Sequence, residues 1–148
     1  MRTGINIILT LVVGATLLAC SRGGSGAGQF DGGGAGGHVS APSDSIPPVL
    51  IVSTPVPDQV YSSGAIINVS GTISDNNGLY RGSIRITNDA NGALLKEQLY
   101  EIHGLTSYNF NINQVVTVGA LTNYTVTVWF EDHNYNAASK AVRIKVNP

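Results

Sequence analysis

Carboxylate and amide side chains gather in two short stretches of this 148-residue chain. Asp75 and Asn77 lie in Asp75-Asn76-Asn77-Gly78, and Glu131, Asp132 and Asn134 lie in Glu131-Asp132-His133-Asn134. Hard oxygen donors of this kind suit Ca²⁺ when enough of them converge. Asp and Asn are also ordinary turn formers, because their side chains bond the backbone two residues on. Calcium ligation and plain turn formation both stand as readings of these residues. A second group is Trp129 with Arg85 and Arg143. A solvent-facing indole between guanidinium donors can stack a sugar ring or anchor a protein partner. The competing reading has the Arg stems covering a surface Trp through cation–π contact. His38, His103 and His133 show no His-x-His or His-Glu-x-x-His spacing, so they predict no designed metal site. No Gly-x-Ser-x-Gly elbow surrounds a serine, and no carboxylate pair stands in the contrasting environments that an acid–base couple needs. The chain is therefore expected to be non-enzymatic and without a resident cofactor, Ca²⁺ being the one candidate ion.

These side chains depend on the elements that carry them. From Ile46 onward the chain reads as short alternating runs separated by turn residues, with no helical stripe. That spacing predicts an all-β, single seven-stranded antiparallel sandwich over residues 46–148. The strands are expected at Val49–Ser53, Ile66–Ser74, Leu79–Thr87, Leu94–Ile102, Ser107–Ile112, Tyr124–Phe130 and Ala138–Val146. Strict alternation puts Ile67, Val69 and Ile73 inward on the second, and Tyr80, Ile84 and Ile86 inward on the third. Tyr124, Val126, Val128 and Phe130 face in on the sixth, and Val142, Ile144 and Val146 on the seventh. Trp129 then points away from the core, with Arg85 and Arg143 expected beside it on the neighbouring strands. In a sandwich of this topology the loops after the second and sixth strands share one end, which would bring the oxygen donors together.

Composition sets the remaining bounds. Charged residues make up 11% and the net charge is −1, so no basic field exists to hold nucleic acid. A single cysteine excludes an internal disulfide framework. Residues 20–45 are dominated by glycine, from Gly23 to Gly37, and a run of this kind cannot bury enough apolar surface to offset its ordering entropy. A disordered tether is expected there, with a root-mean-square span of roughly 25–30 Å.

Two resemblances add to this reading. Met1-Arg2 is followed by an uncharged apolar run from Ile5 to Leu18, too short to span a bilayer, and then by Leu17-Leu18-Ala19-Cys20. This resembles the lipobox of bacterial lipoproteins. It implies a signal peptide over residues 1–19, cleavage between Ala19 and Cys20, and acylation of the Cys20 thiol. Burial of acyl chains is worth roughly 0.8 kcal/mol per CH₂, so two or three chains make a durable membrane anchor. Ser21 stands where the inner-membrane retention aspartate would be, so the outer membrane of the cell envelope is the expected site. The second resemblance covers Ile46 to Pro148. Pro47-Pro48-Val49, the run from Ile66 to Gly78, Tyr124-Thr125-Val126-Thr127-Val128 and Asn136-Ala137-Ala138-Ser139-Lys140 look like bacterial immunoglobulin-like domains, of the cadherin-like kind carried by short lipoproteins of unknown function. It implies a lipid-anchored module for binding, adhesion or envelope assembly, with an envelope protein or a glycan as partner. The alternatives are a carbohydrate-binding accessory using the Trp129 face and a calcium-dependent module.

Overall fold

The computed structural model describes residues 43–148. The expectations for the signal peptide, Cys20, His38 and the glycine tether up to residue 42 lie outside them. Among the described residues eight strands form: β1 (Val49–Thr54), β2 (Gln59–Ser62), β3 (Ile66–Ser74), β4 (Leu79–Asn88), β5 (Leu94–Glu101), β6 (Ser107–Val115), β7 (Thr122–Asp132) and β8 (Ala137–Asn147). They build two sheets, one ordered β1-β3-β6 and the other β2-β8-β7-β4-β5. This is an all-β, immunoglobulin-like sandwich.

One strand more is present than the alternation predicts, and not every pairing is antiparallel. After β1 the chain crosses to the other sheet through Pro55 and Pro57, and β2 pairs parallel with β8 from Gln59↔Ile144 to Ser62↔Asn147. Two prolines in three residues read as the end of a strand, and four residues carry too little alternation to signal a new one.

Alternation elsewhere follows the hydrophobic pattern. Ile67, Val69 and Ile73 on β3, Val126, Val128 and Phe130 on β7, and Ile144 and Val146 on β8 are wholly buried. Tyr80 is a correction. Leu79 pairs with Asp132 and Arg81 with Glu131, so Tyr80 is the extra residue of a bulge. Leu79 takes the core position, and Tyr80 turns to the end of the sandwich.

The middle of the core is aromatic. Phe110 and Phe130 stack at 5.5 Å between centroids, and Tyr100 lies 5.6 Å from both Phe130 and Tyr108. Each stacked ring rests on a glycine of its own sheet, Phe110 over Gly71 and Phe130 over Gly82. The Tyr100 hydroxyl is buried without a hydrogen-bond partner among the described residues. Burial, with a smaller contribution from Tyr108, pushes its pKa up to about 12. The sign follows directly: the fold favours neutral Tyr100, so this contribution is complete below the ordinary tyrosine pKa of about 10 and is lost as pH rises from there to about 12. Tyr100→Phe removes an unsatisfied polar atom while keeping the ring. It is expected to leave the melting temperature at pH 7 unchanged or raised, and to flatten the loss of stability above pH 10, as followed by thermal melts across that range.

Candidate functional site

The register brings the start of β1, the β3–β4 turn, the β5–β6 loop and the β7–β8 loop to one end of the sandwich. The loops are tied to one another through the backbone: Asp75 N–H donates to Thr106 O (2.9 Å), Leu79 N–H to Leu105 O (2.8 Å) and Gly104 N–H to Leu79 O (2.9 Å).

Two of the predicted oxygen donors meet here, Asp75 and Asp132, joined by Asp44 from the end of the expected tether. One carboxylate oxygen from each of Asp44, Asp75 and Asp132 lies within 4.8 Å of the other two. Asp75 Oδ1 accepts from the backbone of Asn77 (2.9 Å) and Gly78 (2.7 Å), which shapes the β3–β4 turn. Its Oδ2 is buried and has no hydrogen-bond partner among the described residues. Asp132 is 1% exposed, and its Oδ1 accepts from the backbone of Asn134 (2.7 Å) and Asn136 (2.9 Å). Asn136 Nδ2 donates to Asp132 Oδ2 (2.7 Å) and lies 3.0 Å from the Asp44 carbonyl oxygen. Asn76 Nδ2 donates to Asp44 Oδ2 at 3.0 Å, so Asp44 is held against both loops.

Glu131 does not join the cluster. Neighbouring strand residues project to opposite faces, and Glu131 turns to the outer face of its sheet, where it takes Arg81 Nε at 2.5 Å. That hydrogen bond and its charge raise the Arg81 pKa further. Asn77 and Asn134 enter through their backbone N–H groups. An aromatic group that sequence spacing does not reveal sits at the same end. His103 lies 4.6 Å and His133 5.0 Å from the Tyr80 ring, with the two imidazoles 5.4 Å apart. These residues come from three separate segments, so only the topology joins them.

Trp129 lies half-buried on the outer face of the five-stranded sheet. The expected flanking pair is corrected by the register. Trp129 is opposite Ser83 on β4 and Ser139 on β8. Arg85 is opposite Thr127 and pairs with Glu97 at 2.8 Å, while Arg143 is opposite Thr125 and pairs with Asp89 at 2.9 Å. Alternation fixes the face of a residue but not its row, and both arginines fall in other rows. The group beside Trp129 is instead Ser83, Leu99 and Arg81, which with Gly82, Tyr100 and Glu101 line a depression of about 310 Å³. Leu99 is 64% exposed at its edge. Two serines beside the indole leave its flanks low, and the ion-paired Arg81 stands at one side.

Among the described residues no helix is long and apolar enough to cross a membrane. No protein-family model matches the sequence, and no curated protein matches it. Among solved structures, a CARDB domain from Pyrococcus furiosus, crystallised in complex with di-metal ions, is similar at 18% identity and a TM-score of 0.40. The match covers 72% of this chain and 100% of that chain.

Proposed function

We propose that this chain is a non-catalytic bacterial envelope protein, lipid-anchored through Cys20, whose sandwich is a binding module with its ligand surface at Trp129. The depression beside Trp129 supports this reading: an indole and Leu99 over a serine floor, with Arg81 and Glu101 at the side. Its volume of about 310 Å³ is at the small end of ligand sites. An apolar face for stacking, with charged and hydroxyl hydrogen-bonding groups at its margin, fits a saccharide. Glycan-array binding of the full-length chain is expected to fall at least tenfold in Trp129→Ala, with the melting temperature within a few degrees of wild type. Binding that is absent from both proteins, or equal in both, removes the saccharide. Mass spectrometry of the native protein tests the anchor: an acylated Cys20 as the first residue is expected, and an unmodified thiol with residues 1–19 attached overturns it.

A second reading is carried by the buried Asp75 Oδ2, which has no hydrogen-bond partner among the described residues and lies beside the carboxylates of Asp44 and Asp132. An orphaned carboxylate oxygen next to two further acidic side chains fits a hard divalent cation. Asp44, Asp75 and Asp132 would hold Ca²⁺, whose charge would offset their mutual repulsion and join the segment before β1 to both loops. Calcium in large excess over its dissociation constant is expected to raise the melting temperature by at least 5 °C. EDTA should reverse this, and Asp44→Ala should abolish the calcium response. A melt indifferent to both calcium and EDTA removes the ion.

A further inference from the structure

Two sheets have four outer edges, and three of them carry features that discourage pairing with another strand. At β1, Pro47 and Pro48 precede the strand and a register shift between Val52 and Thr54 interrupts it. β2 is only four residues long. β5 carries Lys96, Glu97 and Glu101. The fourth edge, β6, is different. Its nine residues, Ser-Tyr-Asn-Phe-Asn-Ile-Asn-Gln-Val, include no charge, no proline and no glycine. It pairs with β3 without a register shift from Val115 to Ser107, so it is regular along its whole length. Among the described residues no strand pairs with its other side.

We propose that β6 is a self-association edge, on which a second copy of this chain adds its own β6 antiparallel about a two-fold axis at Asn111. The strand is self-complementary in that register. Asn111 meets its own counterpart, Asn109 meets Asn113, Phe110 meets Ile112, and Ser107 meets Val115. Because these pairs keep sheet faces matched, Phe110 and Ile112 of both copies stay on the core side and the asparagines on the solvent side. The second copy is favoured over a partner of unlike charge because β6 is uncharged: copies meet without repulsion, and no charge is present to select an oppositely charged strand. The asparagine row is already joined across the sheet, Asn68 Nδ2 donating to Asn111 Oδ1 (3.1 Å) and Asn113 Oδ1 (2.9 Å), and pairing continues that row into the second copy. An edge contact of nine residues is small, so the dimer is weak in dilute solution and is promoted where copies are crowded.

Photo-crosslinking of the full-length chain in phospholipid vesicles tests this, with a benzophenone amino acid replacing Asn109 or, on the β5 edge, Lys96. Position 109 is expected to yield copy-to-copy dimers at least tenfold more efficiently than position 96. Asn111→Lys and Asn111→Asp, each placing like charges at the two-fold, are expected to reduce the yield from position 109 at least fivefold when alone. Mixed in equal amounts they should recover it, because opposite charges then face one another; misfolded variants would not show that recovery. Equal yields from positions 109 and 96, or a mixture no better than the separate variants, overturns the proposal.

Discussion

Replacing Phe130 by alanine is expected to destabilise the domain by about 3–5 kcal/mol, the usual cost of removing a buried aromatic ring. Phe130 is wholly buried, stacks on Phe110 at 5.5 Å and touches the Tyr100 ring at 5.6 Å, so one truncation opens the middle of the core. Its ring also occupies the space that any side chain at position 82 would need. A Cβ built on Gly82 would lie 2.0 Å from Phe130 Cδ1 and 2.3 Å from Cε1. Gly82→Ala must therefore displace the ring, at a cost of about 1–3 kcal/mol. The two substitutions should be strongly non-additive, because alanine at position 82 fits once the ring is gone. A double-mutant cycle by urea unfolding is expected to show a coupling of at least 1 kcal/mol in the compensating direction. Additive effects would mean that Gly82 is there for a reason other than the ring.

The second large effect is expected from Asp132→Ala. This carboxylate is 1% exposed, yet it organises the β7–β8 loop by accepting from the backbones of Asn134 and Asn136 and from the Asn136 amide. Truncation leaves several donors without their acceptor, and each buried unsatisfied group costs about 1–3 kcal/mol. A total near 3 kcal/mol corresponds to a fall of about 10–15 °C in melting temperature. The loop also holds Tyr135 at φ 65°, in the left-handed region that bulky residues avoid. Loss of Asp132 should release that conformation, so hydrogen exchange at Asn134 and Asn136 should accelerate well beyond the change elsewhere. A uniform acceleration would instead assign Asp132 a role in global stability alone.

Position on a face was legible in the sequence; position along a row was not. The alternation of Tyr124, Val126, Val128 and Phe130 identifies the inner face of β7 because each step of two residues returns to the same side. The neighbours of Trp129 depend on how β4 and β8 slide against β7, and nothing in the pattern of those strands sets their offset. Alternation thus puts Arg85 and Arg143 on the face of Trp129, while the register sets them in other rows. Tyr80 illustrates the limit of strict alternation, which a single bulged residue resets. Asp44 is illegible in the sequence for a different reason. It follows a glycine-rich run with polar neighbours of its own, and only the folded loops supply Asn76 and Asn136 to hold it. Asp75 and Asp132 could be brought together from topology alone, because each lies at the end of a core strand whose direction the hydrophobic pattern fixes.

The parallel pairing of β2 with β8 bears on how the domain answers to mechanical load. β8 ends at Asn147 and β2 lies along its last part, from Ile144 to Asn147. A force drawing the two ends of the described region apart loads β1 first, and once β1 is drawn off β3 it pulls β2 backward and β8 forward along nearly the same line. Their hydrogen bonds are then strained together, in shear, and must rupture as a group, whereas a peeling geometry would break them in turn. Four short rungs thereby act as a clasp, and the sandwich should withstand pulling through its ends better than pulling across its sheets.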